Sequence, residues 1–548
     1  MPVTPTYPGI YIEELPSSTH TITAAPTNIA VFIGYTQPLK TNPANWGKAV
    51  QIFGFTDYER QFGGFLRSAA FTNSASSFGD MAKAVNQFFL NGGSVAYVVG
   101  IQSQTLENLA NFPATVQIGS LTFTAREITD EIYQMTITIR PILTGASPPG
   151  EEIADIIITY GPQSGPGTIT ETYRRVSMDP NSSDYIESRI GTLSNPISSL
   201  VTVSVGSPPG FFPAMTQMET FPIALPENTQ IFNASDFTNV MQQDTDLDKL
   251  PIFNLMIIPG VGVEADPLTG QVTGTLVMST ALAFCERKRA FLIMDPPIND
   301  SADGTVPNYP ALIQNTISDP GMAKGTNGAL YFPYLKSVDP LTGSSNDPVT
   351  GLQVELPPSA TVAGIFAATD LSRGVWKAPA GFQATTTNTT GVVDRGRMTD
   401  QRQGVLNPLG VNCLRDFPNV GTAVFGARTL VTVTDEQWRY VPVRRMALFL
   451  EQTLYANLGW VVFEPNDEPL WTAIRTSIES FMLGLFRQGA FQGTTPSQAF
   501  QVKCDSQTTT QDDINNGIVN IVVAFAPLKP AEFVIIKISQ LAGQTQTA

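Results

Sequence analysis

Four short runs between residues 439 and 505 decide the fold of this chain. They read Arg439-Tyr-Val-Pro-Val-Arg-Arg-Met446, Trp460-Val-Val-Phe-Glu-Pro-Asn466, Gly489-Ala-Phe-Gln-Gly493 and Val502-Lys-Cys-Asp505. None of them has the composition of a catalytic site. Apolar residues recur at regular spacing between the runs, which indicates a packed structural domain at this end of the chain.

Two helices are predicted in this last domain. Pro442 suits the first turn of a helix, which then runs to Gly459. A second helix starts near Asn466-Asp-Glu468, where acidic residues complement the positive end of the helix dipole, and stops at Gly489. Its apolar face repeats at i, i+3 and i+4, with Leu470, Trp471, Ile474, Ile478, Phe481, Met482 and Leu485.

Strands are predicted at three places in the same domain: Trp460 to Phe463, Ile518 to Phe525 and Glu532 to Ile538. In the last of these, Val534, Ile536 and Ile538 alternate with Ile535, Lys537 and Ser539. This alternation is typical of a strand that is covered on one face only.

An α/β pattern occupies two other parts of the chain. Near the N-terminus, the strands Ile29 to Tyr35 and Val95 to Val99 flank a helix from Phe78 to Leu90. The pattern returns from about residue 245, with a predicted helix from Thr275 to Lys288. The strands of this second part are Phe253 to Ile258, Ala290 to Met294 and Gly328 to Phe332.

Residues 105 to 240 differ in character, because they are rich in Thr, Ser, Ile, Pro and Gly. Alternating runs such as Met135-Thr-Ile-Thr-Ile-Arg140 are separated by clusters of turn residues. Short strands with turn signals at this density predict an antiparallel β-domain, inserted into the α/β part.

The predicted fold class is therefore a multidomain α/β (α+β) protein, with an α/β core, an inserted β-rich domain and extended terminal arms. The predicted boundaries are an N-terminal arm at 1–20, the first part of the core at 21–104, the insertion at 105–244, a middle α/β domain at 245–375, a linker at 376–405, a C-terminal domain at 406–530 and a C-terminal arm at 531–548.

Composition excludes several classes of function. The 548 residues are 42% hydrophobic but only 14% charged, against about 25% charged in average proteins. The net charge of −16 disfavours nucleic-acid binding, which needs basic patches. No apolar run reaches the ~18 residues that span a bilayer. The opening Met1-Pro-Val-Thr-Pro lacks the features of a secretory signal, and Cys285, Cys413 and Cys504 form no paired motif, so we expect reduced thiols in a protein made in the cytosol.

Candidate catalytic groups are few. His20 is the only histidine, so it cannot build a multi-histidine metal site. Glu464, Asp467 and Glu468 lie close together, but capping of the helix that follows explains them better than acid–base catalysis. Gly260-Val-Gly262 lacks the third glycine of a dinucleotide-binding turn. We therefore predict no enzyme, cofactor or metal site, although a nucleotide-binding fold over 245–340 remains an alternative.

Several motifs resemble those of a known family. Their order resembles that of the tail sheath proteins of phages and related contractile injection systems. In chain order, the motifs are Tyr7-Pro-Gly-Ile-Tyr-Ile-Glu-Glu14, Val31-Phe-Ile-Gly34, Phe89-Leu-Asn-Gly-Gly93, Val375-Trp-Lys-Ala-Pro-Ala-Gly381, Asn407 with Gly410, Gly426-Ala-Arg-Thr429 and the four opening runs. The resemblance covers roughly residues 1–100 and 370–548. The run Glu464 to Glu468 favours a bacterial injection system over a free-living phage.

The resemblance implies a structural subunit that polymerises helically, as stacked rings around an inner tube. It also implies contraction from a metastable extended state, which drives the tube through a target membrane and translocates effectors. The implied partners are further copies of the chain, the tube protein, and baseplate and cap proteins, without nucleic acid or membrane insertion. Assembly would take place in the bacterial cytoplasm, in a particle that is released on lysis or anchored to a membrane.

The resemblance further implies that terminal strands are donated to the sheets of neighbouring subunits. These arms would be Ile10, Tyr11, Ile12 and Glu13, and Phe533, Val534, Ile535, Ile536, Lys537 and Ile538. Arg475 and Arg487 are candidate contacts to an acidic tube surface. Arg395, Arg397 and Arg402 are candidates for inter-subunit salt bridges. A baseplate, capsid or surface-layer subunit is the structural alternative.

Overall fold

A computed structural model describes residues 20–66, 80–142, 153–162, 167–207, 212–226, 231–261, 273–296, 324–338, 340, 353–393, 398–431 and 435–538. The chain forms two compact units. The sheet unit comprises Ala25–Ser372 and Pro379–Arg444, and the terminal unit comprises Met1–Ala24, Arg373–Ala378 and Arg445–Ala548. Each unit has a hydrophobic core of its own residues.

The strands are, in chain order, β1 (Ala30–Tyr35), β2 (Ala49–Ile52), β3 (Ala96–Ile101), β4 (Thr115–Ile118), β5 (Leu121–Ala125), β6 (Tyr133–Ile142), β7 (Ile153–Pro162), β8 (Ile169–Ser177), β9 (Val201–Val205), β10 (Gln217–Thr220), β11 (Leu255–Ile257), β12 (Phe291–Met294), β13 (Gly328–Phe332), β14 (Leu335–Val338), β15 (Gln353–Leu356), β16 (Gly391–Val392), β17 (Val411–Phe417), β18 (Gly421–Val424), β19 (Phe500–Lys503) and β20 (Val522–Phe525). The α-helices are Phe55–Phe62, Asp80–Leu90, Gln104–Glu107, Ile186–Ile190, Ala234–Val240, Thr273–Lys288, Pro358–Arg373, Asp400–Leu406, Val441–Asn457, Glu468–Arg487, Pro496–Ala499 and Gln511–Asn515.

The sheet unit is built on an eight-stranded sheet with the order β18-β17-β13-β12-β11-β1-β3-β2. Its six inner strands are parallel, and the two edge strands run antiparallel. β1 lies between β3 and β11, with Val31 opposite Tyr97 on one side and Met256 on the other. This confirms the predicted α/β class and the strands predicted near residues 30, 96, 255, 291 and 328.

Helices cover both faces of this sheet, as a parallel sheet requires. On one face, Phe32 of β1 contacts Phe88 of the helix Asp80–Leu90. Phe366 of the helix Pro358–Arg373 contacts Phe291 and Tyr331. On the other face, alternate β1 residues join a core with residues of the helix Thr273–Lys288. The fully buried pattern of β1 follows from this two-sided cover.

The antiparallel strands predicted within residues 105 to 240 are present as two sheets, β4-β5-β9 and β10-β6-β7-β8. Alternate residues of β6 and β7, such as Ile137 and Ile156, are buried in a core that these sheets share. A buried ion pair between Lys40 and Glu127 links this β-rich region to the loop after β1. Gln37 donates a second hydrogen bond to Glu127, at 3.2 Å.

β14, β15 and β16 form a small antiparallel sheet in the sheet unit. β17 and β18 hydrogen-bond within the eight-stranded sheet, although their sequence lies in the stretch assigned to the C-terminal domain. Strand pairing decides this membership, since β17 lies directly beside β13.

The terminal unit contains both helices predicted from the apolar repeats. The helix Val441–Asn457 enters it from Arg445 onward, and the helix Glu468–Arg487 lies wholly within it. Asp467 is the N-cap of the second helix, and its carboxylate accepts from the Leu470 amide. The predicted apolar face of that helix is buried in the unit's core, apart from the half-buried Phe481.

One strand prediction in this unit is wrong. Residues 459–461 form a 3₁₀ turn in place of the strand predicted from Trp460 to Phe463. Phe463 has a φ of 73°, which no strand residue adopts. The residues from Glu532 to Ile538 form neither helix nor strand within the single chain, so their pairing with another copy stays a prediction.

Asn412 provides a test of the sheet unit's packing. Its buried amide donates to the Leu330 and Arg428 carbonyls at 3.1 and 2.8 Å, and its oxygen accepts from the Arg428 amide at 2.6 Å. Asn412→Ala leaves these buried backbone groups unpaired, so we expect a loss of about 2–4 kcal/mol in the free energy of unfolding. Urea denaturation of the unassembled chain measures it. The exposed Asn239→Ala should change stability by less than about 0.5 kcal/mol, and equal effects of the two variants would contradict this account.

Candidate assembly surface

Among the described residues, the terminal unit contains a sheet of two strands, β19 and β20. Just beyond the paired residues, the Ala526 amide donates to the Ala499 carbonyl at 2.8 Å. This bond shows which residues of the two strands hydrogen-bond to each other. In an antiparallel pair, every second residue turns its backbone groups away from the partner strand. Phe500 and Val502 of β19 and Val523 and Phe525 of β20 are therefore the residues whose amides and carbonyls face outward. Both strands are thus edge strands.

A second feature is the segment Phe533–Ile538, which follows that sheet in the sequence. Its apolar side chains are 71–93% exposed. Apolar residues scattered singly on a surface are ordinary, but a contiguous run of this kind is typical of an interaction site. The structure thus places the predicted C-terminal arm in solvent, within the unit that has an open two-stranded sheet.

The base of the N-terminal arm is attached to the same unit. Ile22 is buried in its core, and His20 stacks on Trp460 with ring centroids 3.8 Å apart. Asn457 donates to the Thr23 carbonyl at 2.8 Å and accepts from its amide at 3.0 Å. Residues 10–13, the predicted donated strand, lie outside the described residues.

The turn at residues 459–466 connects the two long helices of the terminal unit. Asn466 holds it in place, because its oxygen accepts from the Trp471 indole nitrogen at 2.8 Å. The same side chain donates to the Ile518 carbonyl at 3.0 Å, close to the start of β20. At the tip of the turn, Phe463 is fully exposed.

The two candidate tube-facing arginines differ in their surroundings. Arg475 is half-buried, and its guanidinium donates to the Cys504 carbonyl at 2.8 Å and to the Thr472 hydroxyl at 3.2 Å. It also lies 3.7 Å from the Glu468 carboxylate. Arg487 is exposed in the last turn of its helix, where a positive charge complements the helix dipole.

Of the arginines proposed for inter-subunit salt bridges, Arg402 lies in the helix Asp400–Leu406 and is half-buried. Its amide donates to the Thr399 hydroxyl, which caps that helix. Arg395 and Arg397 lie outside the described residues.

The region considered for nucleotide binding has polar groups that already hydrogen-bond within the chain. Asp295 accepts hydrogen bonds from the Gly260 amide and from the Ser359 amide and hydroxyl, at 3.2, 2.8 and 2.6 Å. The amide of Gly260 that would face a bound phosphate therefore already contacts a buried carboxylate. At the end of β1, where such folds bind nucleotides, Tyr35 is buried and donates to Asp236 at 2.9 Å.

The three cysteines are free and buried. Burial raises the pKa of each thiol, that of Cys413 to about 12, so the thiols stay protonated at neutral pH. In the ranges that the structure describes, no group of three metal-ligating side chains comes together. None of the helices in those ranges has both the length and the apolar character needed to cross a membrane.

Comparison with protein families gives two matches. Residues 247–430 match the phage tail sheath protein central domain, and residues 433–540 match the phage tail sheath C-terminal domain. Together these ranges span more than half of the 548 residues. The chain belongs to the phage tail sheath family. A search of the curated proteins gives no significant match to this sheath protein.

Solved structures share the fold of this sheath protein. The helical sheath of the anti-feeding prophage in its contracted state matches with a TM-score of 0.56 and 22% identity, over 98% of this chain and 100% of that one. The sheath of the extracellular contractile injection system PVC, also contracted, has a TM-score of 0.54 and 20% identity, over 98% of both chains. A tail sheath protein of Desulfitobacterium hafniense has a TM-score of 0.52 and 12% identity, over 95% of this chain and 100% of that one.

Sequence reasoning missed two parts of this surface. It did not predict β19, although Phe500, Val502 and Cys504 alternate with polar residues and could have indicated a strand. It also missed the exposed tip at Phe463, because an apolar run between two helices predicts a strand. The 3₁₀ turn at 459–461, the positive φ of Phe463 and the bond from Asn466 to Ile518 show a turn.

Asn466→Ala tests whether that side chain holds the turn. The substitution removes hydrogen bonds to the buried Trp471 and to the Ile518 carbonyl, so we expect a loss of about 1–3 kcal/mol in the stability of the terminal unit. Intrinsic tryptophan fluorescence during urea denaturation gives the readout, since three of the five tryptophans, Trp376, Trp460 and Trp471, lie in this unit. Asn515→Ala, at an exposed helical position, is the matched control. An unchanged midpoint for Asn466→Ala would show that other contacts hold the turn.

Proposed function

We propose that this protein is the contractile sheath subunit of a phage tail-like injection system. It polymerises as stacked helical rings around an inner tube, in a metastable extended state. Contraction then drives the tube through a target membrane. The observation that carries this proposal comes from the described residues of the terminal unit. There, a two-stranded sheet has open edges, and the apolar segment that follows it in the sequence is exposed.

The assembly mechanism is strand addition between copies. The segment Phe533–Ile538 of one copy pairs with an open edge of β19 or β20 in the next, and Ile10–Glu13 adds a further strand. Main-chain hydrogen bonds then supply affinity, while alternate side chains supply register. Because donor and acceptor occupy different places on one chain, the contact is heterologous. Such a contact generates a ring where the rotation between copies closes and an open helical polymer where it does not.

Such arms permit a large change of shape. Strand pairing at the arms keeps copies connected while the bodies of the subunits rotate. Contraction lets these bodies meet over a larger area, so the free energy is stored in assembly and the chain needs neither ATP nor a catalytic centre. The protein is accordingly a structural subunit and not an enzyme. A role without catalysis is supported by the Gly260 amide, which already donates to Asp295, and by the protonated thiols.

The parts of the chain take different positions in the particle. The C-terminal domain, 406–530, faces the tube, and the β-rich insertion, 105–244, faces outward. Arg487 is the stronger candidate for a contact to an acidic tube surface, since the guanidinium of Arg475 is engaged within its own chain. Arg395, Arg397 and Arg402 contribute salt bridges between subunits.

The partners follow from this assembly. Further copies form the sheath, a baseplate nucleates it, and tube and cap proteins complete it. Assembly takes place in the bacterial cytoplasm, and the particle is then released on lysis or held at a membrane. Imaging of the chain expressed alone, by negative-stain electron microscopy, tests the central point: wide, hollow, ridged tubes are expected, and globular or sheet-like assemblies would favour the capsid or surface-layer alternative.

Truncation after Ala531 tests strand donation. The removed side chains from Phe533 to Ile538 are exposed in the single chain, so the truncated protein should fold with an unchanged melting temperature but form no tubes. Electron microscopy and sedimentation give the readout. Lys529→Ala, at an exposed position outside the segment, should still assemble. Tubes from the truncated chain would refute the role of the C-terminal arm.

Charge reversal at Arg487 tests the tube contact. Arg487→Glu should leave sheath formation intact and reduce co-sedimentation of sheath with its tube protein by about tenfold, since it places like charges together. Arg140→Glu on the β-rich region is the matched control, because that arginine is also exposed. Arg475→Glu alone is ambiguous, as it also breaks the bond to the Cys504 carbonyl. Unchanged binding by the Arg487→Glu, Arg475→Glu double variant would exclude both residues.

A further inference from the structure

Phe463 is an unusual residue in this molecule. Its side chain is fully exposed, and its φ of 73° lies in the left-handed region that non-glycine residues seldom adopt. Strained backbone of this kind persists only where the surroundings hold it, and it concentrates at functional places. The turn is held on both sides, by the Asn466 bonds to Trp471 and Ile518 and by the stack of His20 on Trp460.

Three further apolar side chains near the tip are exposed. Val462 is 62% exposed, and Ile518, before the start of β20, and Val522, at its start, are 45% and 50% exposed. Asn466 bonds directly to the Ile518 carbonyl, and only two residues lie between Asn466 and Phe463, so the backbone of the tip lies within about 10 Å of that of Asn466. The turn and the start of β20 are therefore neighbours. We call Val462, Phe463, Ile518 and Val522 the edge patch.

Two observations indicate what covers the edge patch. The segment Phe533–Ile538 is apolar and equally exposed, so it does not cover the patch of its own chain. The segment also has one charge, Lys537, while the residue beside Phe463 is the exposed Glu464. Polarity and charge thus match between a segment and a patch that every copy carries, which favours a second copy over an unrelated protein.

We propose that the turn at Phe463 is a clamp for the C-terminal segment of a second copy. This inference rests on the proposed strand donation and adds the residues that recognise the donated strand. The donated segment pairs with the edge of β20. Its Phe533, Ile535 and Lys537 share one face, because side chains alternate along a strand. The two apolar residues pack on Phe463, and Lys537 meets Glu464.

Removal of the aromatic ring tests the clamp. Phe463→Asn keeps a residue that tolerates positive φ, so the unassembled chain should melt at the same temperature or higher. The critical concentration for tube formation should rise by about tenfold or more, because a large apolar side chain is no longer buried. Leu193→Asn, a like substitution of an exposed apolar residue in the β-rich region, should leave that concentration unchanged.

A charge swap tests the identity of the occupant. Glu464→Lys and Lys537→Glu should each raise the critical concentration, and the double variant should restore it toward the wild-type value. Additive defects without rescue, together with normal assembly of Phe463→Asn, would overturn the clamp. Assembly defects in Phe463→Asn that appear only when tube protein is present would assign the patch to the tube instead.

The outcome also separates this inference from the proposed function. If truncation after Ala531 abolishes tubes while Phe463→Asn and the charge variants assemble normally, strand donation stands and the clamp falls. If the truncated chain assembles as well as the full chain, strand donation fails, and the clamp fails with it.

Discussion

The sheet unit depends on the parallel pairing of β1 between β3 and β11. These two neighbours are far apart in sequence, so the chain must leave the sheet after β3 and return to it at β11. The β-rich region is formed by the chain between β3 and β11. Buried polar side chains fasten both ends: Glu127 binds Lys40 near the exit, and Asn254 binds the Ile29 amide and the Pro26 carbonyl at the return. The sheet thus determines where the insertion begins and ends.

Two features of the terminal unit stay open in the described part of the chain. The outward backbone groups of β19 and β20 face no further strand there. The apolar side chains of Phe533–Ile538 are exposed. Under the proposed function, pairing and burial of these groups supply the free energy of assembly, since each copy donates an apolar strand to the open sheet edge of the next.

The turn at residues 459–466 connects these features. His20 fixes the base of the N-terminal arm on Trp460, and Asn466 fixes the other end of the turn beside β20. One short segment therefore positions the departure of one arm and borders the sheet edge proposed to receive another. Under the proposed clamp, the apolar side chain at its strained tip is buried, and so contributes free energy, only in the polymer.

The sequence by itself determined the helices, most buried strands and the α/β class, because apolar periodicity and caps act over a few residues. Pro442 and Asp467 began helices that the structure confirms. It also indicated the family, through motifs in a fixed order. The tertiary structure alone decided that β17 joins β13, that Trp460–Phe463 turns, and that Phe533–Ile538 forms no strand within its own chain. These outcomes depend on partners distant in sequence or on another copy, and a local pattern of residues does not contain that information.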